Sequence, residues 1–204
     1  LSQDLLAHTL LPMAELEKTH TRELAKSFKL PVFNKSESQD ICFIPDNDYK
    51  SFLRGQIPAS FQAGNFVDSK GNYIGRHKGI PCYTIGQRRG LDLGGPGGPY
   101  YVTALDTANN RVVVGPQDEL FSRVVYADEV SWVEGLPDNT PFRAKGKIRY
   151  AAKEADCTVY PSDDKLHVEF DIPQRAVTAG QALVLYDGER VLGGRSEEHT
   201  SELQ

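Results

Sequence analysis

The chain has 204 residues, 39% of them hydrophobic and 25% charged, with a formal charge of −5. That is a globular composition with apolar material for one sizeable core or two small ones, and its net acidity excludes a polyanion binder that acts through overall charge. Three cysteines, at 42, 82 and 157, form no CxxC or Cys/His spacing, so neither a disulfide framework nor a zinc site is expected, and the absence of any run of about 18 apolar residues argues against a spanning helix.

Residues 1–30 read as helical, with Met13, Leu16, Leu24 and Phe28 on a narrow apolar stripe, Lys26 and Lys29 near the C-terminus and Pro31 ending the helix. A short extended link leads into Glu-Ser-Gln-Asp-Ile-Cys-Phe-Ile-Pro, residues 37–45. There Cys42 sits where polar sequence gives way to the apolar run 41–44. Two readings of Cys42 stay open on the residues alone: a packed core thiol, or a thiol held at the rim of a site. Another short helix is expected after Pro45, with Asp46 as N-cap and Tyr49, Phe52 and Leu53 as its buried side, and a domain boundary at about residues 55–63.

From Phe66 onward the pattern is short strands with turn signals. A hairpin is expected around residues 70–72, followed by the cluster Arg76-His77-Lys78, where His77 reads as an exposed loop residue or as a catalytic base. Gln87-Arg88-Arg89-Gly90 places two arginines in a polar loop, either a solvated pair or a nucleic-acid contact. The glycines of residues 92–99 lack the Lys-Ser or Lys-Thr helix start of a phosphate loop and read as a flexible connection. Ala108-Asn109-Asn110 marks a second hairpin, and residues 120–133 read as the stretch that closes this domain. The remainder, from about Val125 to Gly194, suggests a small antiparallel barrel or sandwich. In its strand 142–150, Arg143, Lys145, Lys147 and Arg149 alternate with smaller or apolar residues, a basic stripe roughly 20 Å long with no acid between the cations. Cys82 and Cys157 read as structural, and Gln181 stands at a strand entrance.

Several stretches together resemble one family. Ser38-Gln39-Asp40-Ile41-Cys42-Phe43-Ile44, Gly79-Ile80, Tyr83-Thr84-Ile85-Gly86-Gln87-Arg88-Arg89-Gly90-Leu91, Asn110-Arg111-Val112-Val113-Val114-Gly115, Ile148-Arg149-Tyr150 and Ala179-Gly180-Gln181 are similar, in order, to the tRNA-specific 2-thiouridylases. The resemblance implies an α+β organisation: the end of an α/β adenine-nucleotide hydrolase-like (PP-loop ATP-pyrophosphatase) domain at 1–55, a small mainly-β central domain at 60–123 and a C-terminal antiparallel β-barrel at 124–194. It further implies a cytoplasmic sulfurtransferase in which ATP, with Mg2+, adenylates C2 of a wobble uridine and Cys42 delivers sulfur as a persulfide. Arg149, Tyr150 and Gln181 match positions that contact tRNA. The implied partners are tRNAs for Glu, Gln and Lys and a persulfide donor protein, with no membrane. The family's Ser-Gly-Gly-Val-Asp-Ser loop and its second functional cysteine have no match here, so the chain reads as the C-terminal part of a longer enzyme that is inactive alone. The alternative is a non-catalytic RNA-binding module with a structural Cys42, and a third reading is a thiol hydrolase using Cys42 and His77. Residues 195–204 resemble a translated sequencing adapter and are set aside from the fold.

Overall fold

The computed structural model describes residues 3–35, 44, 48–94, 98–135, 138–162 and 165–195. Its contacts divide the chain into two compact units, Leu1–Phe52 and Leu53–Gln204. In the first, the single helix expected over 1–30 is two: α1 (Gln3–Ala7) and α2 (Lys18–Ser27). Pro12 is the physical reason, because it has no N–H to donate and disfavours helical backbone at Leu11. The end of α2 falls where expected. Lys29 adopts left-handed backbone (φ 54°) and the Leu30 N–H reaches back to the Ala25 carbonyl at 2.9 Å, closing the last turn before Pro31.

α3 (Tyr49–Gln56) is capped by Asp48, whose Oδ1 accepts the Ser51 N–H at 3.0 Å and whose Oδ2 accepts the Ser51 hydroxyl at 2.5 Å. Asp48 therefore takes the role expected of Asp46, which lies outside the described residues. Phe52 and Leu53 are half-buried, whereas Tyr49 is exposed.

The second unit is almost entirely β. β1 (Gly64–Val67), β2 (Tyr73–His77), β3 (Tyr101–Asp106) and β4 (Arg111–Gly115) form a four-stranded sheet in the order β2-β1-β4-β3. β1 and β4 run parallel and the other neighbours antiparallel. Both expected hairpins are present. In the first, Asp68 accepts the backbone N–H groups of Lys70 and Asn72 and the Asn72 amide, which hold its carboxyl below the usual carboxylate range. Phe66, Val102, Val112 and Val114 are fully buried and, with Tyr83 and Leu91, make this sheet's core.

β5 (Phe121–Asp128), β6 (Ser131–Trp132), β7 (Phe142–Lys147), β8 (Ala155–Ser162), β9 (Lys165–Arg175), β10 (Val184–Asp187) and β11 (Arg190–Gly194) build a seven-stranded sheet in the order β5-β9-β8-β7-β10-β11-β6. Every pairing is antiparallel. Its two edge strands, β5 and β6, are consecutive in the chain, so the sheet curls upon itself as a barrel does. Period-two burial is clean: Cys157 and Val159 of β8, and Leu166, Val168 and Phe170 of β9, point inward with no exposure. Gly146 lets the Phe170 ring pass close by, since a Cβ there would lie 2.7 Å from ring carbons.

The stretch 120–133 does not close the first sheet. β5 pairs with β9 along its length, from Phe121↔Arg175 to Asp128↔Lys165, because Val125 and Ala127 supply inward side chains in phase with Leu166 and Val168. The two sheets meet at a small apolar seam of Tyr101, Leu120 and Ala176 with Ile85 against it. There the Ala176 N–H donates to the Leu120 carbonyl at 2.8 Å, and the Arg175 guanidinium lies 5.9 Å from the centre of the Tyr101 ring. Arg195, the first residue of the tail set aside from the sequence, is nevertheless buried against this sheet: it pairs with Asp128 at 3.2 Å and its N–H reaches the Leu183 carbonyl at 2.9 Å.

Candidate nucleic-acid interface

Three residues singled out in the sequence converge on one end of the seven-stranded sheet. β7 ends at Lys147, which pairs with Val184 at the start of antiparallel β10. The residues just after Lys147 and those just before Val184 therefore lie at the same sheet end. Arg149 and Tyr150 leave β7 in a turn closed by the Ala152 N–H on the Arg149 carbonyl (3.0 Å). Gln181 sits in a turn closed by its own N–H on the Thr178 carbonyl (3.3 Å), with Gly180 in left-handed backbone (φ 80°). Tyr150 is 95% exposed, and the Lys147 ammonium is 5.7 Å from its ring centre. An exposed aromatic ring flanked by cations is a stacking surface for an unpaired base, and Gln181 can offer a base edge both a donor and an acceptor.

The basic stripe on β7 is not the uncompensated row that the sequence suggests. Arg143 grips Asp171 of β9 through two hydrogen bonds of 2.8 and 2.6 Å and also donates to Thr158. Lys145 stands opposite Asp156 of β8 in register and pairs with it at 3.2 Å. The Arg143 guanidinium, hydrogen-bonded to Asp171, holds that carboxyl below the usual range. Two of the four cations thus carry their own counter-ions, whereas among the described residues Lys147 and Arg149 make no ion pair. Asp156 and Asp171 were visible as residues, but only the strand register shows that they face the stripe.

Cys42 lies within residues 36–43, outside the described residues; of the apolar run around it, Ile44 is described and is buried. Cys157 is wholly buried, donates to the Ala144 carbonyl at 3.4 Å, and burial pushes its thiol up to about 11, which suits a packing role. Cys82 is half-buried and free.

His77 is neither an exposed loop residue nor an available base. It is 1% exposed at the end of β2, edge-on to Phe66 and Tyr83. Its Nδ1 accepts the Gly79 N–H at 3.0 Å, which leaves Nε2–H to donate to the Asn110 carbonyl at 3.2 Å. Both nitrogens are therefore occupied, and burial lowers its pKa, favouring the neutral ring. Among the described residues no group of three or more His, Cys, Asp or Glu side chains could hold a metal ion, and no helix is long and apolar enough to cross a membrane.

Comparison with known proteins follows the same divisions. Residues 1–46 match the tRNA methyl transferase HUP domain, 50–116 the tRNA methyl transferase PRC-barrel domain and 122–195 the aminomethyltransferase beta-barrel domain. Fold and matches together define a class, the proteins in which the end of a HUP domain is followed by a PRC-barrel domain and a second β-barrel domain.

Among curated relatives, the tRNA-specific 2-thiouridylase MnmA of Magnetococcus marinus is 46% identical over 190 residues, covering 93% of this chain and 53% of the relative. The MnmA of Symbiobacterium thermophilum is 46% identical over 196 residues (95% and 50%), and that of Acetivibrio thermocellus 45% over 194 residues (95% and 54%). The chain belongs to the tRNA-specific 2-thiouridylase family, and it spans about half the length of the curated relatives it matches.

Proposed function

We propose that this chain is the sulfur-delivering and tRNA-gripping part of a cytoplasmic tRNA 2-thiouridylase. The observation that carries the reading is the 45–46% identity to relatives of that name over 93–95% of the chain, through the Cys42 segment and both sheets. The domain models are named for methyl transfer, but the curated relatives are named for thiolation, and a cysteine in the matching segment is the residue type that carries sulfur. In this reading residues 1–55 end the ATP-using domain, 60–123 form the central domain and 124–194 the barrel.

The chemistry has two halves. Attack of the wobble uridine O2 on ATP releases pyrophosphate and turns a poor leaving group into AMP. The terminal sulfur of a Cys42 persulfide, loaded by a donor protein, then attacks C2, and AMP departs with the C–O electron pair. A second thiolate, expected outside this chain, attacks the Cys42 sulfur, and the S–S bond breaks toward the base to leave 2-thiouridine and a disulfide. The disulfide is returned to thiols by an external two-electron reductant. Tyr150 would receive a base displaced from the anticodon stack, Arg149 a phosphate and Gln181 a base edge. The substrates are tRNAs for Glu, Gln and Lys that carry a wobble uridine. Among the described residues no cluster of His, Cys, Asp or Glu side chains fits Mg2+.

The exposed apolar residues of the first unit, Leu10, Leu11, Met13 and Phe28 among them, suit a segment that packs onto the remainder of an ATP-using domain. Thiol reactivity tests the reading directly. Cys42 should react with iodoacetamide at least tenfold faster than Cys157 near pH 8, since a buried thiol with a raised pKa is protonated and shielded. Alkylation of Cys42 no faster than that of Cys82 or Cys157 would favour a non-catalytic RNA-binding module with a structural Cys42.

A further inference from the structure

The loop of residues 84–91 carries two adjacent arginines that the proposed chemistry leaves unused. Its backbone is pinned at several points. The Gly86 N–H donates to the Val102 carbonyl at 2.8 Å, the Val102 N–H to the Gln87 carbonyl at 3.0 Å, and the Gln87 N–H to the Thr84 carbonyl at 3.0 Å. The Gln87 side chain ties both ends of the loop: its Oε1 accepts the Thr84 N–H at 3.0 Å and its Nε2 donates to the Arg89 carbonyl at 2.9 Å. Gly86 and Gly90 supply the left-handed backbone at the two bends (φ 86° and 73°). Arg88 and Arg89 are both exposed on this braced loop. Among the described residues neither makes an ion pair, whereas Lys78, Arg143, Lys145, Arg190 and Arg195 all do. The nearest acid in sequence, Asp92, is engaged by Lys78 at 3.1 Å.

The loop's position gives those charges a direction. Ile85 packs into the seam between the sheets against Ala176, and Gly86 approaches so closely that a Cβ on it would lie 3.1 Å from the Ala176 Cβ. Ala176 begins the connection that holds Gln181, folded compactly by Thr178 on the Ala176 carbonyl (3.0 Å) and by the Gln181 N–H on the Thr178 carbonyl (3.3 Å). Register then carries the surface from Gln181 through Val184↔Lys147 to Arg149 and Tyr150. The arginine loop is thus joined through the seam to the connection that carries Gln181, at the sheet end where Arg149 and Tyr150 leave β7.

We propose that Arg88 and Arg89, held by Gln87, form a second phosphate-binding contact for the tRNA, so that the RNA backbone is gripped by both sheets at once. The proposal rests on the tRNA-binding reading of the Arg149 face. Exposed guanidiniums without acid partners bind phosphate with no internal pair to break, and a loop already braced loses little entropy when it does so. Gln87 acts as a positioning residue.

The test is titration of unmodified tRNA with a uridine-first anticodon by the full chain, over about 50–200 mM salt, reading Kd and its salt slope. Each lost phosphate contact removes about 0.7–0.9 from the slope. Arg88→Ala/Arg89→Ala should lower the slope by about two contacts and weaken binding about tenfold or more, while Arg88→Lys/Arg89→Lys keeps the slope. Gln87→Ala should weaken binding a few-fold with the slope unchanged, because the charges remain while their placement loosens. Lys165→Ala, at the other end of β9, should change neither quantity. An unchanged slope in the double alanine variant, with Arg149→Ala still lowering it, would overturn the second contact and leave the first reading standing. If neither variant moves the slope, or the wild-type chain does not bind, both readings fail.

Discussion

His77 shows how one side chain can look like chemistry and be architecture. Its neutral ring bridges the Gly79 N–H and the Asn110 carbonyl, locking the end of β2 to the loop before β4. Because burial depresses its pKa in the folded state, the unfolded chain binds the proton more readily. The stability it contributes is present in full above its ordinary value of 6.5 and is lost as the pH falls below it. Melting temperature measured from pH 8 down to pH 5 should therefore fall, and His77→Gln should flatten that fall. An unchanged profile in the variant would place the acid sensitivity elsewhere. His77→Ala should in addition cost about 1–3 kcal/mol for each buried partner left unpaired. The sequence could not assign this role. Two flanking cations made His77 look exposed, and only the strand pairing Gly64↔His77 shows that it turns inward.

At the scale of elements, the strands were legible wherever a period of two ran between turn signals. β3, β4, β8, β9 and the pair β10 and β11 fall on those stretches, and Asp106-Asn109 and Asp68-Asn72 turns form where Asn and Asp clusters announced them. Register was not legible. It decides that Asp156 and Asp171 neutralise Lys145 and Arg143, that β5 joins the second sheet, and that Arg149 and Gln181 share an end. The charge pairing has a consequence for binding. Lys145→Ala should change the salt slope of tRNA binding by less than half the change produced by Arg149→Ala, because Lys145 already has a partner; equal changes would show that the Asp156 pair opens to RNA. Packing at Gly146 can be tested independently. Gly146→Ala pushes a methyl into the Phe170 ring and the Cys157 sulfur, and should lower stability by about 1–3 kcal/mol in denaturant titration. No loss would mean that β7 can shift away from β9's ring without strain.

For the molecule as a whole, sequence resemblance gave the order of domains before any contact was known, and the strand topology shows how the two sheets are built and joined. The seven-stranded sheet presents Arg149, Tyr150 and Gln181 at one end, and the four-stranded sheet is fastened to it at the Tyr101, Leu120 and Ala176 seam. The proposed site residues come from the family resemblance; the counter-ions and the seam required three-dimensional pairing that no local pattern encodes.

The most direct test of the central claim is sulfur transfer by the chain joined to the N-terminal half of a family relative. The reaction is given ATP, Mg2+, a persulfide donor and unmodified tRNA, and Cys42 is compared with Cys42→Ser. The account predicts 2-thiouridine with Cys42 and a loss of at least a hundredfold with serine, which cannot carry a persulfide. Equal product from the two proteins would contradict it, leaving this chain as the tRNA grip of an enzyme whose sulfur chemistry lies elsewhere.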